Sequence, residues 1–208
     1  MSVVTGLDAI RAAAKKQAAG GGKSRKDTFL KLEDGDAKKI WFLQELDDGS
    51  PNYDPERGLG SLVVEYRDPD NFRKRIVDTS DSEGRCWPAE QGWKPRTSLY
   101  INVYVEDEGK VKILNQGFGS KTIVDWLVEY AGDAGSITNV PFKIRRTGSG
   151  QYDTSYTLTP AGVPGDPKDV SAEDIIDIND VLQHVPYADQ EEFFRGDEEK
   201  TEESESAW

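Results

Sequence analysis

Residues 98–105 read Ser-Leu-Tyr-Ile-Asn-Val-Tyr-Val, and this alternation limits the fold more than any other feature of the chain. Leu99, Ile101, Val103 and Val105 fall on one face, with Tyr100, Asn102 and Tyr104 on the other, a period of two that belongs to a strand. The segment 106–110, Glu-Asp-Glu-Gly-Lys, turns the chain into Lys-Val-Lys-Ile-Leu-Asn-Gln, the second strand of a hairpin. Further strands are expected over 38–46, 61–67, 72–78, 140–146 and 152–159; Asp-Pro-Asp-Asn joins the second to the third. Residues 120–130 form a helix, with Ser120 as its cap and Ile123, Trp126, Leu127 and Tyr130 as its apolar stripe. Five to seven short antiparallel strands with one inserted helix fit a small β-barrel or sandwich better than a parallel α/β sheet.

The flanks differ in composition. Residues 7–19 are strong helix formers stopped by Gly20-Gly21-Gly22. After Pro160 a linker leads into an acidic helical stretch from about Ser171 to Gln183, and the end of the chain is low-complexity and expected to be disordered. Four regions result: a basic arm at 1–28, a core at 29–162, a linker with a short acidic helix at 163–186, and an acidic disordered tail at 187–208. The net charge of −13 divides as +5 over residues 1–26, −6 over 27–162 and −12 over 163–208. Such a chain can bind a polyanion with its front while its tail competes for the same surface, or both ends can simply be solvated.

Several function classes fall away. The single Cys86 forms no internal disulfide, and one Cys with one His cannot build a Cys-rich zinc site. No apolar run approaches the roughly 18 residues of a membrane span, and the first residues show no secretory signal, so the expected setting is cytoplasmic. Gly-Leu-Gly-Ser at 58–61 and Gly-Phe-Gly-Ser at 117–120 lack the rest of a dinucleotide fingerprint, and there is no phosphate-binding P-loop. His184 has no nucleophile to serve. The chain is read as a non-enzyme, with no metal and no cofactor.

What remains is a set of cations interleaved with aromatic rings. Arg73, Lys74 and Arg75 follow Phe72; Trp87, Trp93, Lys94 and Arg96 lie in the long aperiodic loop 79–97. Tyr100 and Tyr104 share the polar face of the central strand with Lys112 across the hairpin, and Phe118 and Lys121 open the helix. Lys143, Arg145 and Tyr152 sit on the closing hairpin. Bases of single-stranded nucleic acid stack on such rings for about 1–3 kcal/mol each while cations follow the phosphates. The alternative for Tyr100 and Tyr104 is cross-strand packing in a second small core.

In order, these residues resemble the single-stranded DNA-binding (helix-destabilising) proteins of T-even-type phages, over about Lys31 to Leu158. Lys-Pro-Arg-Thr-Ser-Leu-Tyr-Ile-Asn-Val-Tyr-Val at 94–105, the hairpin to Gly117-Phe118-Gly119-Ser120-Lys121, and Gly-Ser-Gly-Gln-Tyr-Asp-Thr-Ser-Tyr at 148–156 carry the likeness. The resemblance implies an OB-fold that coats single-stranded DNA without sequence preference in phage replication, recombination and repair. It implies DNA contacts at Arg96, Tyr100, Phe118, Lys121 and Tyr152, and cooperative self-association through Lys23, Arg25 and Lys26. It further implies an acidic tail that recruits replication proteins such as a polymerase or a helicase–primase, with Trp208 a candidate for a partner pocket. The chain departs from the family in its zinc subdomain: of three Cys and a His it keeps only Cys86. A competing reading is an acidic interaction module, a DNA mimic or assembly chaperone that binds a basic protein.

Overall fold

The computed structural model describes residues 25–119, 122–150 and 153–196. The chain is mainly β. Its strands are β1 (Ala37–Phe42), β2 (Ser61–Arg67), β3 (Arg75–Val77), β4 (Arg96–Val105), β5 (Lys110–Gly117), β6 (Pro141–Thr147) and β7 (Ser155–Pro160). They form one antiparallel sheet in the order β3-β2-β4-β1-β6-β7, with β5 on the other edge of β4. The sheet does not close into a barrel: among the described residues β5 and β7 share no ladder. The OB-fold expectation is therefore met only in its coarser part, a predominantly β, antiparallel architecture.

β4 is the hub. Its first half pairs with β2, from Glu65↔Arg96 to Ser61↔Tyr100, and its last residues pair with β1, Phe42↔Val103 to Ile40↔Val105. β5 runs along its whole other edge, from Ser98↔Gly117 to Val105↔Lys110. The alternation read from the sequence decides which side chains enter the main core. Leu99, Ile101, Val103 and Val105 are buried there with Ile40, Phe42, Phe142 and Ile144. The helix α4 (Val124–Ala134) closes this core through Val124 and Leu127 and ends at Gly135, whose φ of 74° suits only glycine well. It begins four residues later than the expected start at Ser120, and Ile123, with no side-chain cap, precedes it. At the β6–β7 hairpin a side chain on Gly148 would run into the Asp153 backbone, so the turn requires glycine twice over, by space and by its φ of 90°.

A buried carboxylate fastens the chain between α4 and β6. Glu45, 2% exposed, accepts from the Ser136 hydroxyl at 2.6 Å, the Thr138 hydroxyl at 2.7 Å and the Ile137 amide at 3.1 Å. Four partners within one loop satisfy the charge without a cation.

Two regions differ from expectation. The second half of residues 163–186 is not the single acidic helix expected from about Ser171 to Gln183. From Asp169 to Val185 the chain lies across the sheet face opposite the main core, shaped by two 3-10 turns, Ala172–Asp174 and Ile178–Asp180, where one acidic helix was expected. Ile178 is buried there with Val63, Tyr100 and Ile113, and Ile176, Val181 and Leu182 pack around them. The Asn102 amide holds this strap in place: its nitrogen donates to the Ile176 carbonyl and its oxygen accepts from the Ile176 amide, both at 3.0 Å.

The second region is the expected tail. Tyr187–Arg195 form a helix, α5, that joins the loop 79–97 instead of trailing in solvent. That loop contains two single-turn helices, α2 (Ser80–Glu83) and α3 (Trp87–Glu90). Trp87 stacks on Phe194 at 5.9 Å, and Trp93 meets Phe194 edge-on at 4.8 Å. Gln190, fully buried, accepts from the Trp87 amide at 2.8 Å and donates to the Thr79 hydroxyl and the Val185 carbonyl. The Arg195 guanidinium lies over the Trp87 ring at 5.0 Å. Apolar burial of three aromatic rings and one buried amide thus order the loop. Over residues 187–196 the expected disorder was a misreading, because the three acidic residues of α5 are matched by Tyr187, Phe193 and Phe194, which pack against the loop. Residues 1–24 and 197–208 lie outside the described residues, as do the helix expected at 7–19, Lys23 and Trp208. No helix among the described residues is long and apolar enough to cross a membrane.

Candidate nucleic-acid interface

A cleft of about 810 Å³ opens where the end of β5 stands near β7 without pairing to it. Arg67 comes to it from β2, Arg96 from the start of β4, Asn115 and Gln116 from β5, and Tyr156 from β7. Phe118, one residue beyond β5, leaves 48% of its surface in solvent at the rim. A hollow of about 320 Å³ shares Asn115, Gln116 and Tyr156 and extends the groove to Lys31, Glu33 and Arg146. In a chain with 39 acidic residues, no aspartate or glutamate lines the larger cleft among the described residues. The balance that counts for an anionic ligand is this local one, because exposed charges beyond about 10 Å are largely screened.

Register explains the clustering. Glu65 pairs with Arg96, Arg67 with Arg75, and Tyr100 with Asn115, which puts all six on one face of the sheet. Glu65 is 2% exposed; it accepts from the Tyr100 hydroxyl at 2.8 Å, while the Arg67 and Arg75 guanidinium groups each approach it to 3.6 Å. Two guanidinium groups therefore approach one carboxylate, and Arg96, its partner on β4, adds a further cation on the cleft side. Burial pulls the Arg67 guanidinium below its ordinary value, with Arg75 and Arg96 adding to the effect and Glu65 opposing it.

The structure sorts the expected site residues into distinct groups. Arg96 and Phe118 lie in the cleft. Arg73 and Lys94 are exposed on neighbouring loops. Tyr100 needs correction: it is fully buried, between the strap and Phe29, so its ring is core and offers no face to a base. Trp87 is likewise buried, under Phe194, and Trp93 is half-buried against both. Lys112 is buried and paired with Glu108 across the turn. Lys74 donates to the Phe194 carbonyl at 2.9 Å, near the end of α5, a structural role. Arg75 is divided between Glu65 and the Phe29 ring, 5.9 Å from its centre.

Tyr104 lies at the far end of the same sheet face, with the Lys168 ammonium 4.8 Å from its ring, and contributes to another hollow beside Asp169 and Asp174. Lys143 and Arg145 are exposed on β6, paired with Lys39 and Ala37, and do not line the cleft. Lys121 and Tyr152 lie outside the described residues; Arg25 and Lys26 fall in the single-turn α1 (Arg25–Thr28). Sequence reasoning missed Arg67 and Asn115, and took Tyr156 only as a ring of the closing hairpin, not as a site residue. Tyr156 alternates with the exposed Thr157 and was legible as a ring on a strand, but nothing in sequence marks Arg67 or Asn115.

Compared with protein-family models, curated proteins and solved structures, the chain matches none.

Proposed function

We propose that the chain is a sequence-independent single-stranded DNA-binding protein and that the cleft between β5 and β7 is where the strand runs. One observation carries the reading: a cleft lined, among the described residues, by no acidic side chain, with Arg67 and Arg96 at its walls and the Phe118 ring at its mouth, in a strongly acidic chain. Aromatic faces tolerate any base, and guanidinium groups bind any phosphate, so this chemistry selects single strands without reading sequence. The fold reading that goes with it is an open OB-type barrel. It rests on the pairings β1–β4, β4–β5, β1–β6 and β6–β7, with α4 between β5 and β6, and on the unpaired seam as its open side. In that reading the protein is a phage replication, recombination and repair factor, assembles cooperatively through its basic arm, and recruits replication proteins through residues 197–208.

Among the described residues no tryptophan lines the cleft, so intrinsic fluorescence is a poor reporter. Fluorescence anisotropy of labelled oligo-dT and of a matched duplex, each at two salt concentrations, is the direct test. The expected result is salt-sensitive binding of the single strand, weak duplex binding, and a loss of about 1–3 kcal/mol in Phe118→Ala with unchanged stability. Absence of oligo-dT binding at low salt overturns the proposal and favours the acidic module that binds a basic protein.

A further inference from the structure

Two buried nitrogen atoms at the cleft have no hydrogen-bond partner: Arg67 Nε and Asn115 Nδ2. A buried donor left unpaired costs about 1–3 kcal/mol, and native structures keep few of them, so each asks for a reason. Both belong to residues that line the same cleft, and both lie on the sheet face that carries Arg96. Both are donors, and among the described residues no acidic side chain lines the cleft to accept from them. Glu65 Oε2 is likewise buried without a hydrogen-bond partner, but it approaches Arg67 Nη2 only to 3.6 Å, beyond hydrogen-bond length, and the other Glu65 oxygen accepts from Tyr100.

Resting on the single-strand reading, we infer that Arg67 and Asn115 form a phosphate seat: one backbone phosphate of the bound strand accepts from Arg67 Nε and Asn115 Nδ2, with Arg96 at its solvent side. The choice of phosphate over a base edge follows from charge. Arg67 and Arg96 line the cleft, and the nearby carboxylate of Glu65 is shared between Arg67 and Arg75, so the seat calls for an anion, whereas a neutral base carbonyl would leave that excess of positive charge uncompensated. Asn115 supplies the neutral donor that fixes the phosphate laterally, and the seat places the adjoining bases within reach of Phe118 and Tyr156.

The test compares full-length wild type with Arg67→Gln and Asn115→Asp, using labelled oligo-dT and oligo-dA across a salt series, with unfolding midpoints as the folding control. Loss of one phosphate contact should flatten the slope of log K against log salt by about 0.7 in Arg67→Gln. Asn115→Asp puts a carboxylate where the phosphate sits, breaks no buried ion pair, and should weaken both oligonucleotides by the same factor, about tenfold or more at low salt. An unchanged slope in Arg67→Gln, unchanged affinity in Asn115→Asp, or a loss confined to oligo-dT would each overturn the seat, the last in favour of base-edge recognition. Should Arg67→Gln unfold, Asn115→Asp alone decides. Failure of the wild-type chain to bind either oligonucleotide instead removes the single-strand reading itself.

Discussion

One face of the sheet carries two regions of opposite character, separated by only a few residues along β4. Toward Asn102 the face is apolar and covered: Tyr100, Ile113 and Val63 lie beneath Ile178 and Leu182 of the strap, and Asn102 is paired with the Ile176 backbone. Toward Arg96 it is basic and open, with Arg67 and Asn115 holding unpaired donors. Tyr100 marks the boundary, its ring in the covered half and its hydroxyl on Glu65, which faces the arginines of the open half. The contrast separates stability from binding. The covered half buries apolar surface and satisfies its polar groups, whereas the open half stores unmet charge.

The largest effect that can break this comparison is at the boundary. Tyr100→Ala should cost about 3–5 kcal/mol, because it empties a fully buried aromatic site and strips Glu65 of its donor. Urea unfolding measures it; a cost below about 1 kcal/mol would show that the covered half is not packed as described. Asn102→Ala comes next, at about 1–3 kcal/mol, since it leaves the Ile176 amide and carbonyl without partners. Limited proteolysis should then cut first between Asp169 and Val185, and an unaltered cleavage pattern would contradict the strap.

Alkaline pH gives a finer probe. Burial first, and the Glu65 carboxylate second, hold the Tyr100 hydroxyl above its ordinary value near 10, so the folded state keeps this proton when the unfolded chain has lost it. Stability is complete below that value and falls as pH rises past it, with a slope approaching about 1.4 kcal/mol per pH unit from this group. Tyr66, pushed up by its own burial, adds in the same direction. Tyr100→Phe should flatten the decline; an identical alkaline slope would exclude Tyr100 as its source. The smallest effect is expected at Lys143→Ala with Arg145→Ala, both outside the cleft. The salt slope for oligo-dT should not move, whereas one phosphate contact there would lower it by about 0.7.

Much of the strand pattern was legible because a half-buried strand writes its period into the sequence. The expected 61–67 coincides with β2, and 98–105 differs from β4 by two residues at one end. The face assignment of Tyr100 was also correct; the error concerned what lies above it. A covering segment such as Asp169–Val185 makes its contacts through a few apolar residues spread among acids, and neither composition nor periodicity shows which surface they meet. The same holds for α5, whose paired Phe193 and Phe194 were the available signal that an acidic stretch had something to bury. Glu45 was visible in principle as a lone charge ending the apolar run Trp-Phe-Leu-Gln-Glu. The unpaired donors of Arg67 and Asn115 were not, because an absent partner is a property of three-dimensional neighbours.

The strap also orders events at the ribosome. Chains emerge N-terminal end first, and the segment that covers Tyr100 and Ile113 follows β7 in the sequence. The seven strands can therefore assemble while one apolar face of their sheet is still bare, and only the chain made after β7 delivers its cover. For that interval the nascent protein exposes two opposite sheet halves side by side, one sticky and one cationic. That face is most accessible then, before the strap closes over Tyr100 and Ile113.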